Sequence, residues 1–318
     1  MTGSPRAPIV LIGAEHDDHV VALREALLVR GAVAVVLDSL RFPNAPRIAL
    51  GAALDDVRVD GVRLARPGAI YLRSLYLSPL AYLVDVAREM EDNWRTTLVV
   101  FREKGEMLLG LVRRWEALQV PIYNPLHASD STRKPYQLAR LAAAGLPVPE
   151  TLWTNDPAEA RAFAEGRRVA YKPVSGGAST KELGKPDLEE ARLARLAHCP
   201  VTFQELLPGE DLRIFVLDEK VVAAFRIEVE EGKLDYRQNE RSLEIVPVSP
   251  ELRDIALRAT REVGLRFTGM DLKRAKDGTW RILELNPSPM FLGFDQRAGS
   301  NILGALADAL IAHAADRE

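Results

Sequence analysis

Phe267-Thr-Gly-Met-Asp271-Leu-Lys273, then a Lys276-Asp-Gly278 turn, then Trp280-Arg-Ile-Leu-Glu284-Leu-Asn286 is the stretch on which the reading of this chain depends. The two apolar runs read as neighbouring strands joined by a hairpin turn at Asp277-Gly278. On a strand, side chains at i and i+2 share a face, so Glu284 and Asn286 project together and the pairing brings Asp271 alongside. Two carboxylates and an amide oxygen converging in this way suit one or two magnesium ions, which take carboxylates together with substrate phosphate oxygens. Manganese is admissible in the same oxygen set. A hairpin with a solvent-facing polar edge has the same local pattern, so the rest of the chain has to decide.

Upstream, Arg168-Val-Ala-Tyr-Lys-Pro173 reads as a strand that carries Lys172 at its end. Directly after it comes Ser175-Gly-Gly-Ala-Ser-Thr-Lys181, a loop of small residues whose backbone N–H groups are free to approach a phosphate. No Gly-Lys-Ser/Thr follows at P-loop spacing. Phe203-Gln-Glu-Leu-Leu-Pro-Gly-Glu-Asp-Leu-Arg213 is a strand running into a Pro-Gly turn and acidic residues, a place for an adenine edge and a ribose. Leu234-Asp-Tyr-Arg-Gln-Asn239 sets Arg237 and Asn239 at alternate positions, suited to phosphate oxygens or to a plain surface strand. Arg213 and Arg226 lie on strands flanking the Asp218-Glu-Lys220 hairpin, where both are expected to face the cleft and neutralise an acyl phosphate. A surface ion pair is the competing reading for each.

The chain opens with Ile9-Val-Leu-Ile-Gly13, a helix pattern with Val20, Leu23, Leu27 and Leu28 on one face, and Ala32-Val-Ala-Val-Val-Leu37. This β-α-β order implies a parallel sheet. The first turn, Gly13-Ala-Glu-His-Asp-Asp18, has no GxGxxG, which argues against dinucleotide binding there. His16 and His19 flank Asp17-Asp18 without a third ligand, so this is read as a helix start capped by an aspartate, and His127 and His198 as structural. Two helices are expected over residues 80–92 and 97–118, the charges of the Arg102-Glu-Lys-Gly-Glu106 stretch being solvated. Further helices are expected at 133–144, 250–263 and 301–315, the last two packing on the C-terminal sheet.

The 318 residues, 47% apolar and 27% charged, describe an ordinary globular chain of about two domains. Forty-two basic against forty-five acidic residues give a net charge of −3, which excludes a polybasic nucleic-acid binder as the default. A single cysteine, Cys199, expected buried and inert, excludes a disulfide framework and a CxxC site. The apolar runs are strand-length and residues 1–8 lack the apolar stretch of a signal peptide, so no membrane association and a cytoplasmic location are expected.

In order and spacing these elements resemble the ATP-grasp superfamily, specifically its RimK-like carboxylate–amine ligases, over about residues 120–312. Arg133-Lys-Pro-Tyr-Gln-Leu-Ala-Arg-Leu-Ala-Ala-Ala-Gly-Leu-Pro-Val-Pro149 is similar to the family's Asp-Lys…Gly-Ile-Pro-Val-Pro helix, with Lys134 at the lysine position. The resemblance implies that Lys172 holds nucleotide phosphates and that Gln204, Glu205, Leu206 and Leu207 form the adenine hinge. It places Asp211-Leu-Arg213 on the family's Asp-Ile-Arg, and Asp235-Tyr-Arg237-Gln-Asn239 on a phosphate segment. Asp271, Glu284 and Asn286 fall on the magnesium ligands. The fold implied is α/β (α+β): an N-terminal Rossmann-like pre-ATP-grasp domain (1–125), a central lid subdomain (126–200) and a C-terminal, mostly antiparallel catalytic subdomain (201–318). The implied cofactors are ATP and magnesium, and the implied partners a carboxylate substrate and an amine or hydroxyl acceptor. Two departures stand out: Ser175-Gly-Gly-Ala-Ser-Thr180 replaces a longer Gly-rich loop, and Asn286-Pro-Ser-Pro-Met290 replaces Asn-x-Ser-Pro-Gly.

Val35-Val-Leu-Asp-Ser-Leu-Arg-Phe-Pro43, Pro149-Glu-Thr-Leu-Trp-Thr-Asn-Asp-Pro157, Cys199-Pro-Val-Thr-Phe-Gln-Glu205 and Asp235-Tyr-Arg237 look like the ATP-grasp ligases that mature ribosomal peptides (graspetide ligases). That narrower resemblance implies a precursor peptide as partner, joined side chain to side chain, with Glu103 and the first domain as its docking surface. Tyr71-Leu-Arg-Ser74 stands where those enzymes show Trp-x-Arg-Arg. The alternatives are a glutamate-type ligase acting on a small metabolite and a non-catalytic nucleotide-binding module. A homo-oligomer is compatible with all three.

Overall fold

The computed structural model describes residues 7–78, 86–175, 179–229 and 240–315. In chain order the elements are β1 (Ile9–Gly13), α1 (Asp18–Val29), β2 (Ala34–Asp38), β3 (Ile48–Leu50), β4 (Val57–Val59), β5 (Val62–Arg63), β6 (Ala69–Leu72), α2 (Val86–Ala117), β7 (Ile122–Tyr123) and α3 (Leu126–Asp130). They continue with α4 (Lys134–Ala143), β8 (Thr151–Thr154), α5 (Pro157–Ala164), β9 (Val169–Pro173), β10 (Lys181–Glu182), α6 (Glu190–Leu193), β11 (Val201–Glu205), β12 (Asp211–Leu217) and β13 (Lys220–Val229). The last are β14 (Glu240–Ile245), α7 (Pro250–Val263), β15 (Phe267–Arg274), β16 (Trp280–Asn286), α8 (Leu292–Ala298) and α9 (Ile302–Ala315). The chain forms two compact units, one of residues 1–126, 290–295 and 301–318, the other of 127–289 and 296–300.

In the first unit β1, buried along its whole length, is the centre of a parallel sheet ordered β2-β1-β6-β7. Apolar residues on every position of a strand suit a sheet covered on both faces. Leu108, Leu111, Val112 and Trp115 of α2 share one core with Val10 and Ile12. Asp17 caps α1, its Oδ1 accepting the His19 and Val20 amides. The 80–92 and 97–118 helices are one helical run broken at Asn93 (φ −145°, ψ 42°), and the start of the first lies outside the described residues.

The closing helix corrects an expectation. α9 packs against α1, β6 and β1 of the first unit, not on the C-terminal sheet. Its buried residues Ile302, Leu306, Leu310 and Ala314 mark a face that must be covered, but periodicity does not say by what. Gly68 is the trace of that docking, since a Cβ there would stand 2.6 Å from the Ala314 Cβ.

The second unit holds two antiparallel sheets, β10-β9-β11-β8 and β14-β13-β12-β15-β16. One face of the five-stranded sheet (Leu212, Ile214, Val216, Met270, Leu272) packs on Leu138 and Leu141 of α4 and Ala256, Ala259 and Val263 of α7. α7 starts at the Ser249 cap and stops at Gly264, in the left-handed region at φ 80°. The opposite face of that sheet carries the polar residues.

Candidate functional site

Asp271 on β15 lies directly opposite Arg213 on β12 and Glu284 on β16, and Gly269 lies opposite Asn286. Directly opposed residues of antiparallel strands share a face, so Arg213, Asp271, Glu284 and Asn286 line one side of the sheet. Strict alternation would then put Ile282 there too. The register instead skips Leu283 between the Asp271–Glu284 and Leu272–Ile282 pairs. This bulge sends Ile282 into the helix-covered core and keeps Glu284 and Asn286 on the open face. Sequence reading missed the bulge, because nothing in Ile-Leu-Glu-Leu marks it.

Sequence reading also missed Gln137. From α4, its Nε2 donates to the Leu285 carbonyl (2.9 Å) and its Oε1 accepts the Leu285 amide (2.8 Å). β16 is an edge strand, and this fully buried amide substitutes for a neighbouring strand at the residue between Glu284 and Asn286. The Asn286 end is tied as well: Thr268 Oγ1 donates to its carbonyl and the Ser288 amide to its Oδ1. One helical turn before Gln137, Lys134 reaches the same strand.

Protein cations compensate the carboxylates. Arg213 Nη1 donates to Asp271 Oδ1 at 2.7 Å, and Lys134 Nζ stands 2.5 Å from Glu284 Oε2. Burial pushes the Asp271 carboxyl above the usual carboxylate range, Arg213 opposing and the Glu284 charge adding to the push. Burial acts upward on Glu284 too, but Lys134, with Lys172 and Arg213, outweighs it and holds that carboxyl below its ordinary value. The donor set (two carboxylates and an amide oxygen) fits a hard divalent cation, which would favour both carboxylates ionised. Asp211 is placed on the same face and is neutralised by Lys273 Nζ at 2.6 Å.

On the four-stranded sheet, Lys172 Nζ donates to Gln204 Oε1 (3.0 Å), and Gln204 Nε2 donates to Thr151 Oγ1 (2.9 Å). Lys172, Thr202 and Trp153 form one cross-strand row. Thr202 Oγ1 and Trp153 Nε1 are buried without a hydrogen-bond partner among the described residues. A lysine beside two orphaned donors suits a ligand rich in acceptor oxygens. In the hinge stretch, the Glu205 amide donates to the Glu150 carbonyl while its Oε1 accepts the Glu150 amide. The Leu206 amide donates to the Arg168 carbonyl and Leu207 is buried.

Arg226 departs from expectation. It pairs with Leu212, so it faces away from Arg213 and Asp271, and it holds Glu210 (3.4 Å) and Glu244 (3.2 Å) at the surface. Cys199 is exposed, not buried. Lys104, expected in solvent, is buried in the first unit near Asp38 and its ammonium is pushed down to about 8 by that burial. Glu103 is exposed beside Arg102, as the solvated-helix reading expects. Arg237 and Asn239, and residues 176–178 of the small-residue loop, lie outside the described residues. Among the described residues no three His, Cys, Asp or Glu side chains cluster as a metal site, and no helix is long and apolar enough to cross a membrane.

Residues 201–310 match the family profile of the RimK-like ATP-grasp domain. A probable alpha-L-glutamate ligase of Shewanella halifaxensis is 30% identical over 215 residues, covering 63% of this chain and 46% of the relative. The chain therefore spans about half the length of the first curated relatives it matches. The solved structure of the ATP-grasp ligase PsnB, complexed with a phosphomimetic variant of minimal precursor, Mg and ADP, is 48% identical with a TM-score of 0.91, covering 96% of this chain and 98% of that one. The macrocyclase MdnC of Microcystis aeruginosa MRC, bound with precursor peptide MdnA, shares the fold at 22% identity and a TM-score of 0.77, over 96% of this chain and 99% of that one. Two carboxylates, an amide and an arginine on neighbouring strands, with Lys134 reaching in from α4 and Lys172 from the four-stranded sheet, are thus held in a chain that matches PsnB along nearly its whole length and carries a RimK-like ATP-grasp match over residues 201–310, and the chain belongs to the ATP-grasp ligases.

Proposed function

We propose that this chain activates a carboxylate with ATP and joins it to an amine or hydroxyl, with a ribosomal peptide or protein as substrate. The observation that carries the reading is the shared face of Asp271, Glu284 and Asn286 with Arg213, Lys134 and Lys172 around it. Asp271, Glu284 and Asn286 would hold magnesium, which when bound supplies positive charge to the phosphate oxygens. Lys134 and Lys172 neutralise phosphate charge, together with Arg237 and Asn239 of the segment that resembles the family's phosphate-binding stretch. Gln204, Glu205, Leu206 and Leu207 border the base, and Asp211 the ribose. Arg213 orients the substrate carboxylate. An oxygen of that carboxylate attacks the γ-phosphorus, the bond to the β–γ bridging oxygen breaks, and ADP leaves. The amine or hydroxyl then adds to the acyl carbon, phosphate departs, and the acceptor's proton is released to solvent. The protein's part is positioning and charge stabilisation.

The match to PsnB, solved with precursor, Mg and ADP, supports the peptide reading. The division into 1–125, 126–200 and 201–318 belongs to the same proposal, the last helix returning to the first unit. The curated glutamate-ligase relatives favour a second reading, addition of an amino acid to a small acceptor. ADP release is to be measured with Mg-ATP and an acidic peptide bearing Ser, Thr and Lys side chains. Release that requires the peptide, with loss of one water from its mass per bond, is the expected result, and Asp271→Asn is expected to abolish it. A free amino acid consumed in place of the peptide would establish the second reading.

A further inference from the structure

Gly269 has an ordinary backbone conformation, yet it is the residue through which Arg213 reaches Asp271. A Cβ at this position would stand 2.6 Å from Arg213 Nη2 and 2.9 Å from both Cζ and Nε. Three guanidinium atoms therefore lie in the space a side chain would take. Interior strand glycine is unfavourable for the strand itself, and close approach of another group is its usual reason. Phe215, opposite Gly269, stands beside the same guanidinium, with Cζ 5.3 Å from the ring centroid. Arg213 thus leans along the sheet into a berth floored by Gly269 and walled by Phe215, and from there Nη1 grips Asp271.

We infer that Gly269 is a positioning residue for Arg213, and that Arg213 occupies the metal-ligand carboxylate Asp271 until a divalent cation displaces it. The inference rests on the assignment of Asp271 as a metal ligand. Arg213 and the metal then compete for one carboxylate, so the buried acid is compensated at each stage of loading. The berth at Gly269 and Phe215 keeps the displaced guanidinium in the cleft, where its donors turn to an anionic substrate.

The test is binding of Mn2+ alone to the full chain, followed by electron paramagnetic resonance. Gly269→Ala pushes the guanidinium off Asp271 while keeping its charge, and is expected to tighten Mn2+ about ten-fold, the equivalent of one charge-assisted hydrogen bond. Arg213→Met is expected to tighten it at least as much. Because Gly269 acts through Arg213, the double variant should bind no tighter than Arg213→Met alone, a departure from additivity that general loosening of the strand does not produce. Unchanged or weaker binding in Gly269→Ala, or effects that add, would overturn the inference. Asp271→Asn separates the two levels: if it binds Mn2+ like the wild type, the metal assignment fails, whereas loss of binding there with a silent Gly269→Ala sinks only the role of Gly269. Should Gly269→Ala not fold, Arg213→Lys replaces it: lysine lacks the planar fork that lies across Gly269, so Mn2+ should bind tighter than in wild type, and unchanged affinity counts against the berth.

Discussion

Replacing Gln137 by methionine keeps the length of the side chain and removes both of its hydrogen bonds to Leu285. Those bonds, 2.9 and 2.8 Å long, satisfy the residue of β16 that sits between Glu284 and Asn286, on the edge strand of the five-stranded sheet. Methionine gives neither a donor nor an acceptor of strength, so a buried amide and a buried carbonyl are left without partners. Each such orphan costs about 1–3 kcal/mol, and the gain from burying a thioether in place of a primary amide offsets part of it. The expected net loss is about 2–4 kcal/mol, a large fraction of the ~5–15 kcal/mol that holds an ordinary domain. Urea unfolding followed by circular dichroism reads this as a lower midpoint at unchanged slope. Because Glu284 and Asn286 flank Leu285, Mn2+ affinity is expected to fall along with stability. A midpoint shift equivalent to less than about 0.5 kcal/mol, the range of an ordinary surface substitution, would refute the clamp.

Asp271→Asn and Glu284→Gln are expected to leave the chain folded and to abolish ADP release, and wild-type turnover of either in magnesium buffer would remove the metal assignment. Lys172→Ala should weaken binding of a non-hydrolysable ATP analogue by roughly ten- to a hundred-fold, since a charged hydrogen bond is at stake; calorimetry with unchanged affinity would place Lys172 outside the site. Arg226→Ala is expected to spare turnover and Arg213→Ala to damage it at saturating ATP, because the two face opposite sides of the sheet; equal damage would contradict that placement. Lys104, with its ammonium pushed down to about 8, binds fewer protons folded than unfolded between that value and the ordinary ~10.4. Stability should therefore rise with pH across this window relative to Lys104→Met and show no such slope below it, and parallel denaturation curves for the two proteins would show that Lys104 is not buried as a cation.

Much of the candidate site was legible in the sequence because its residues contrast with their immediate neighbours, although the local pattern alone also fits a polar surface hairpin. Asp271, Glu284 and Asn286 stand out as polar positions in otherwise apolar strand runs, and the Asp277-Gly278 turn pairs those runs. Lys172 is conspicuous as a charge closing an apolar strand before a loop of small residues. The β-α-β opening and the Asp17 cap follow from periodicity and from a carboxylate placed at a helix start.

What the chain could not announce is every feature that depends on which surface meets which. The face of Arg226 depends on the register between β12 and β13, and no residue type encodes a register one step either way. The bulge at Leu283 shows only once Asp271 and Leu272 have partners. Gln137 and Leu285 are 148 positions apart, and Gly269 reads as an ordinary strand glycine until Arg213 lies across it. The destination of α9 was hidden for the same reason, since its apolar stripe declares a need for burial without naming a partner. Composition, periodicity and turn chemistry act over a few residues and thus determined the elements and most of the candidate ligands. Cross-strand register and long-range packing, which arise only when distant segments compete for the same space, decided which of those residues share a face.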